Sequence, residues 1–304
     1  MLVVLMSVKI PSMLFCLFAI VSIFAGKFKE YLMSLDKFSS VLAATAMACV
    51  VTGCDGVFDY HPYDARFDGE TGHNASAISR IEAATVDKDT LHVAFISDSH
   101  GWYTETEDMV NDINSRGVAD FVVHLGDLTD CATTKEYVWQ RDVLSKLGVP
   151  YVALLGNHDC LGTGEEVFLR MYGESNFSFI AGRVKFVCLN TNATEYDYVA
   201  ANPDFDYMEE QMTADSARFD RTIVCMHACP YSDQFNNNVA KPFELYVTHF
   251  PGIMFCVYGH DHHQAASEIF DDGLMYYGVD CASHRSYMLF TITPDGYEYE
   301  VVDF

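Results

Sequence analysis

Positive charge is scarce in this chain. Only 18 Lys and Arg stand against 43 Asp and Glu among 304 residues, giving a formal net charge of -25. Such a body repels a phosphate backbone, which excludes a nucleic-acid-binding protein of the usual electrostatic kind. Paired CxxC spacings are missing too, although there are ten cysteines, so neither a disulfide framework nor a thiolate zinc knuckle is expected. Cys188, Cys225 and Cys256 fall inside apolar runs, where a small buried thiol is the ordinary role, and Cys160 and Cys229 lie close to the polar motifs described below. There is no GxxxxGK[ST] loop, no GxSxG elbow and no Cys-x5-Arg loop, which removes P-loop, serine-esterase and cysteine-phosphatase chemistry. What the chain does have is 50% hydrophobic residues, enough for a well-buried core.

The N-terminal part reads as an address. Residues 10 to 26 form one apolar stretch, and residues 38 to 53 form a second that ends at "VTGC" and Cys54. The second run is short and rich in small residues, as in a signal h-region, and its end resembles a bacterial lipobox with Cys54 as the lipidated residue. Residues 1 to 53 are therefore expected to be a signal and targeting segment. An internal start at Met33 would leave Lys37 ahead of the apolar run and make the preceding residues an over-long N-terminus. A membrane anchor at 10 to 26 and cleavage without lipid are the competing readings. The lipobox implies an exported protein, anchored to the membrane on its periplasmic or cell-surface side. Residues 54 to 90, polar and rich in Gly and Asp, are expected to form a tether that packs partly on the domain. Asn74, Asn176 and Asn192 open N-x-S/T triplets, which such a lipoprotein would leave incidental.

From residue 91 the pattern changes. Runs of β-branched and aromatic residues recur ("LHVAFIS", "ADFVVHL", "PYVALL", "VKFVCL", "TIVCM", "IMFCVY", "LMYYGV") and read as buried strands, being continuously apolar. Helix-like segments lie between several of them; in "TTKEYVWQRDVLSKLG", Thr133 and Glu136 match a capping box and Gly148 follows the last turn. The closing "YMLFTITPDGYEYEVVDF" alternates around Pro-Asp-Gly, as a terminal hairpin does. An α/β sandwich over residues 91 to 304 follows.

Each of several strands switches abruptly into polar residues: "DSH" (Asp98, His100), "GDLTD" (Asp127, Asp130), "GNHD" (Asn157, His158, Asp159), "MHA" (His227) and "GHDHH" (His260, His262, His263). Ligand-binding groups in open α/β sheets gather outside the carboxyl ends of strands, so these residues can converge although far apart in sequence. The Gly before Asp127, Asn157 and His260 permits the tight bends such turns need. Oxygen and imidazole donors without thiolate suit two borderline divalent or trivalent cations such as Mn, Fe, Zn, Co or Ni, and Asp127, in the middle of the set, is the candidate to bridge them. Asp130 and Asp159 could equally cap a helix or turn. His263 and Asp261 read as solvated loop residues. His61, His73, His92, His124, His249 and His284 read as surface or satisfied core histidines.

The five blocks, in this order across residues 91 to about 265, resemble the calcineurin-like metallophosphoesterases. The resemblance implies the fold of that family, an α/β sandwich of αββα layers with central mixed β-sheets and a metal site at the strand C-terminal ends. It also implies two metal ions. Asp98, His100, Asp127 and His262 would hold one; Asp127, Asn157, His227 and His260 would hold the other. A hydroxide bridging the ions would attack a phosphoester, with His158 giving the leaving group a proton and Asp130 orienting its ring. The protein Ser/Thr phosphatases of that family carry an Arg after the second Asp; "GDLTDC" has none, so a phosphodiesterase or acid phosphatase acting on a small phosphoester substrate is the nearer expectation. A catalytically silent, lipid-anchored binding protein on the same fold is the alternative, and none of the expected ligand positions is broken. The "NTNATEYDYVAANPDFDYMEEQMTADSARFD" segment is expected to start as a Tyr- and Asp-rich loop, either a wall of the site or an exposed acidic loop, and to continue as a helix.

Overall fold

Continuously apolar runs become strands because both faces of each sheet are covered. The computed structural model describes residue 22, residues 24–27, residue 61, residues 63–196 and residues 200–304. The chain divides at His61 and Pro62 into two units, and of the first only a short helical piece at residues 22 and 24–27 and His61 are described. The lipobox and Cys54 lie outside the described residues, and no helix among those described is long and apolar enough to cross a membrane.

In chain order the second unit contains α1 (His73–Thr85), β1 (Leu91–Ile96), α2 (Tyr103–Arg116), β2 (Phe121–His124), α3 (Thr134–Leu144), β3 (Tyr151–Ala153) and α4 (Gly164–Met171). Then follow β4 (Phe177–Ala181), β5 (Val184–Leu189), α5 (Phe205–Thr213), β6 (Arg221–Met226), α6 (Ala240–Thr248), β7 (Ile253–Tyr258), β8 (Ala265–Ser267), β9 (Tyr276–Gly278), β10 (Ser286–Thr293) and β11 (Gly296–Asp303). A five-stranded sheet runs β11-β10-β1-β2-β3 and a six-stranded sheet runs β4-β5-β6-β7-β9-β8. Both are mixed: β1, β2 and β3 pair in parallel, as do β5, β6, β7 and β9, while β10 runs antiparallel to both β1 and β11, β4 to β5 and β8 to β9.

Alternate residues of each strand face two different cores. Phe95, Phe121, Phe290, Phe179, Phe186 and Phe255 fill the space between the sheets, where Phe179 and Phe186 stack at 4.8 Å and Phe121 meets Phe186 edge-on at 5.4 Å. Such pairs add about 0.5–1.5 kcal/mol each beyond the area they bury. Ala94, Ile96 and Val122 face outward under α2, α3 and α4, and Val187, Val224 and Cys256 face outward under α5 and α6. The layers are thus αββα, as expected. Lys185 interrupts β5 without harm: it is fully buried, but its Nζ donates to the carbonyls of Gln211 and Ala214, which the end of α5 leaves unpaired. The capping box on α3 forms as the sequence indicates, and Pro294-Asp295 turns β10 into β11. All seven described cysteines are free, and Cys188, Cys225 and Cys256 are buried.

Three elements differ from expectation. The stretch expected to be a tether is built into the domain from residue 63 onward: α1 closes the open edge of the sandwich. Asn74 exchanges two hydrogen bonds with the backbone of Ala153, occupying the edge of β3, while Glu82 accepts from Ile180 N and Thr85 from Gly182 N at the edge of β4. The buried face of α1 is Asn74, Ala77, Ile81 and Thr85, half polar, so hydropathy does not reveal it. The strands β4 and β8 also have no continuous apolar run, because β4 is partly exposed and β8 is three residues long at an edge.

Candidate metal centre

Five strands deliver the polar blocks to one place. Asp98 follows β1, Asp127 follows β2, Asn157 follows β3, His227 follows β6, and His260 and His262 follow β7. Continuing strand geometry would carry these side chains apart, and the chain instead folds back sharply. Asp98, Asp127, His260 and His262 all have positive φ (49°, 57°, 68° and 50°) although none is glycine. Each such residue costs on the order of 1–3 kcal/mol and persists only where neighbours enforce it. Here the turns are tied to one another: Asp98 N donates to Gly126 O, Ser99 N and His100 N to Asp127 O, Gly259 N to His227 O, and His260 N to Asp98 Oδ2. Gly126 has φ 107°, and a side chain there would press within 2.7 Å of His227 Nδ1. At Gly259 a Cβ would overlap the Ser97 hydroxyl.

The result is two groups of ligand atoms with one member in common. Asp98, His100, Asp127 and His262 each place a ligand atom within 4.8 Å of the others, and Asp127, His227 and His260 do the same. Asn157 joins the second group, its Oδ1 lying 3.0 Å from both His227 Nε2 and His260 Nδ1. Asp98 is fully buried and its Oδ1 has no hydrogen-bond donor. His262 Nε2 stands 3.2 Å from that oxygen, an ion-pair distance without hydrogen-bond alignment. A buried carboxylate oxygen left in this way fits a cation and is costly without one. Burial pushes the Asp98 carboxyl up, yet the imidazoles of His262 and His227 and the Ser97 hydroxyl more than offset it and hold it well below the usual carboxylate range.

The imidazoles are oriented individually. His227, fully buried, donates from Nδ1 to Leu125 O at 2.8 Å and so turns Nε2 toward Asp127 Oδ2, 3.3 Å away. Burial lowers its pKa, but the Asp127 charge and hydrogen bond outweigh burial and push it up to about 9. His260 is inverted: Nε2 pairs with Asp233 at 2.7 Å and Nδ1 faces Asn157. His100 directs Nδ1 to Asp130 and Nε2 to His262.

His158 stands beside both groups and in neither. Its backbone N donates to Asp127 Oδ1, its Nδ1 donates to the backbone carbonyl of Asp130 at 2.9 Å, and its ring stacks on His100 at 4.7 Å. Asp130 meets His158 through its backbone carbonyl, while its carboxylate lies 3.3 Å from His100 Nδ1 and 3.8 Å from His158 Nδ1. Asp159 is a loop organiser. Its fully buried carboxylate accepts from Leu128 N, Gly156 N, Thr129 N and the Thr129 hydroxyl, and so joins the "GDLTD" and "GNHD" turns. Burial and the neighbouring Asp127 push its pKa to about 7 against those donors.

Histidines read as surface or core keep apart from both groups. His124 hydrogen-bonds Ser99, His73 the Tyr151 carbonyl, His249 the Leu245 carbonyl, His263 the Asp261 carbonyl, and His284 pairs with Asp280; His92 lies 3.8 Å from Asp120. Asp233 was not legible as a site residue, since a single Asp six positions after His227 in an acidic chain carries no signal of its own.

A family model described as calcineurin-like phosphoesterase matches residues 91–264. A 3',5'-cyclic-nucleotide phosphodiesterase from Nostoc sp. is 23% identical over 153 residues, covering 48% of this chain and 56% of that relative, so the match spans little more than half of the relative's length. Among solved structures, a dimetal phosphatase from Danio rerio is similar with a TM-score of 0.52 at 13% identity over 70% of this chain and 99% of that one. GAP50, titled the anchor in the inner membrane complex of Plasmodium, is similar with a TM-score of 0.55 at 12% identity over 71% of this chain and 85% of that one. At these identities the solved structures speak to the fold alone.

Proposed function

The chain belongs to the calcineurin-like phosphoesterase family, and from that premise we propose that it hydrolyses small phosphodiesters with two divalent or trivalent cations sharing Asp127. One observation carries this reading: two complete ligand groups meet at Asp127, and one of them contains a buried carboxylate oxygen without a donor. Asp98, His100, Asp127 and His262 would hold one cation and Asp127, Asn157, His227 and His260 the other. When bound, the pair would draw charge from the phosphoester oxygens and make a water molecule shared between them acidic enough to supply hydroxide at neutral pH.

The protein's own groups do the rest. His158 is fixed through Nδ1, which leaves Nε2 as the nitrogen that gives a proton to the departing alkoxide. Its ring is held on one face by His100 and its main chain by Asp127, so the donor stays beside the reacting centre.

The preference for diesters rests on charge. Cys131 follows Asp130, where an Arg could have clamped a phosphate dianion, and the exposed carboxylates Asp130 and Asp233 stand against His100 and His260 at the rim of the centre. A diester carries one negative charge and a monoester up to two, so this rim repels the monoester more. The similarity to a cyclic-nucleotide phosphodiesterase agrees in chemical class. The test is hydrolysis of bis(p-nitrophenyl) phosphate and p-nitrophenyl phosphate by metal-loaded protein: higher kcat/KM on the diester is expected, equal or reversed values end the diester preference, and no turnover of either by folded protein holding two cations ends the enzymatic reading. The proposal includes export and lipid attachment at Cys54, for which the "VTGC" pattern is the support; labelled fatty acid retained by Cys54→Ala would refute it.

A further inference from the structure

We propose that Asp233 is a positioning residue that fixes His260 as a ligand through Nδ1 and thereby sets the affinity of the second cation. This rests on reading the centre as a metal site. Three imidazoles there are oriented by a partner on the nitrogen turned away from the centre, and each partner differs. For His227 it is the buried Leu125 carbonyl, for His100 the Asp130 carboxylate at 3.3 Å, and for His260 the Asp233 carboxylate at 2.7 Å. Only His260 presents Nδ1 inward, facing Asn157 Oδ1 at 3.0 Å. With Nδ1 turned inward, Nε2 is the nitrogen through which the protein holds the ring, and Asp233 occupies it.

Asp233 could pass for one more surface carboxylate, since its side chain is 86% exposed. An exposed ion pair contributes little stability. Its position, however, is built. After it, Phe235 is 1% exposed and packs edge-on against Phe243 at 5.2 Å, and the Gln234 carbonyl accepts from Ala193 N. Before it, Ser232 N donates to Cys229 O, and Asn237 spans the loop by accepting from Tyr231 N and donating to Ser232 O. Tyr231 takes φ 74° to make the turn. A loop anchored on both flanks delivers one carboxylate to the outer nitrogen of one ligand. Carboxylates in that place raise ligand basicity and fix the tautomer, and losing one typically weakens metal binding 10–100-fold.

The experiment titrates metal-free full-length protein with Mn2+ alone, following bound equivalents by calorimetry, for the parent, Asp233→Asn, Asp233→Ala and Asp233→Glu, with metal-free melting temperatures alongside. The expected result is two equivalents in the parent; in the Asn and Ala variants one equivalent keeps its affinity and the other weakens on the order of 10–100-fold, Glu recovers part of the loss, and the melting temperatures coincide. Parent affinity for both equivalents in the Asn and Ala variants overturns the proposal, and equal weakening of both equivalents overturns it too, because that would be a general effect of charge. A parent that binds fewer than two equivalents overturns the underlying reading of the centre instead.

Discussion

His124 and His227 are both fully buried, both stand at the end of a parallel strand, and hold their protons differently. His124 accepts from Gly126 N through Nδ1 and reaches the Ser99 hydroxyl through Nε2, and burial pushes its pKa down to about 4. His227 suffers the same desolvation, yet the adjacent Asp127 reverses the sign and raises it to about 9. Burial by itself therefore makes a neutral structural histidine. A carboxylate aimed at the free nitrogen makes a site for positive charge, which is the electrostatic condition a cation exploits.

The largest test removes the source of the difference. Asp127→Asn should lose both cations and on the order of 10³-fold or more of kcat/KM. In metal-free protein it should also bring the His227 pKa down toward the behaviour of His124, as read by NMR titration; a His227 still titrating near 9 would break the electrostatic account. A third histidine, His158, half-exposed and outside both ligand groups, extends the comparison. His158→Ala should keep both cations by metal analysis and lose about 10²–10⁴-fold in kcat on esters with poor leaving groups, with far less loss on activated ones.

Matched substitutions come next. His227→Gln should cost one cation, whereas His124→Gln should keep both and lose about 1–3 kcal/mol in denaturant unfolding, because it disturbs buried hydrogen bonds. The smallest effect is in pH. His227 has a folded pKa above its ordinary 6.5, so the stability it contributes to metal-free protein is complete below 6.5 and is lost as pH rises toward 9. His124 has a folded pKa below 6.5, so its contribution is complete above that value and is lost as pH falls toward 4. Comparing thermal melts of metal-free parent and His124→Gln isolates this contribution: the gap between them should be widest above pH 6.5 and narrow as pH falls toward 4.

Much of this was legible beforehand. "VKFVCL" and "IMFCVY" are strands over the full run because they are buried on both faces, and Thr133 caps α3 because its partner Glu136 is local. The candidate ligand positions were readable because an abrupt change from apolar to Asp, Asn and His marks a strand end, and strand ends of a parallel sheet share one side. Asp233, the contact of the Asp130 carboxylate with His100, and α1 were not readable, since each works through a partner distant in sequence, with no periodicity to announce it.

Residue type and order by themselves determined the sandwich and the donors it brings to the strand ends, because apolar patterning and metal-ligand chemistry are local properties of the chain. Which nitrogen of each imidazole faces inward, and which carbonyl or carboxylate holds the other, was decided by tertiary structure alone. Those choices depend on left-handed turns and anchored loops that set separations of a few ångströms between residues up to 162 positions apart.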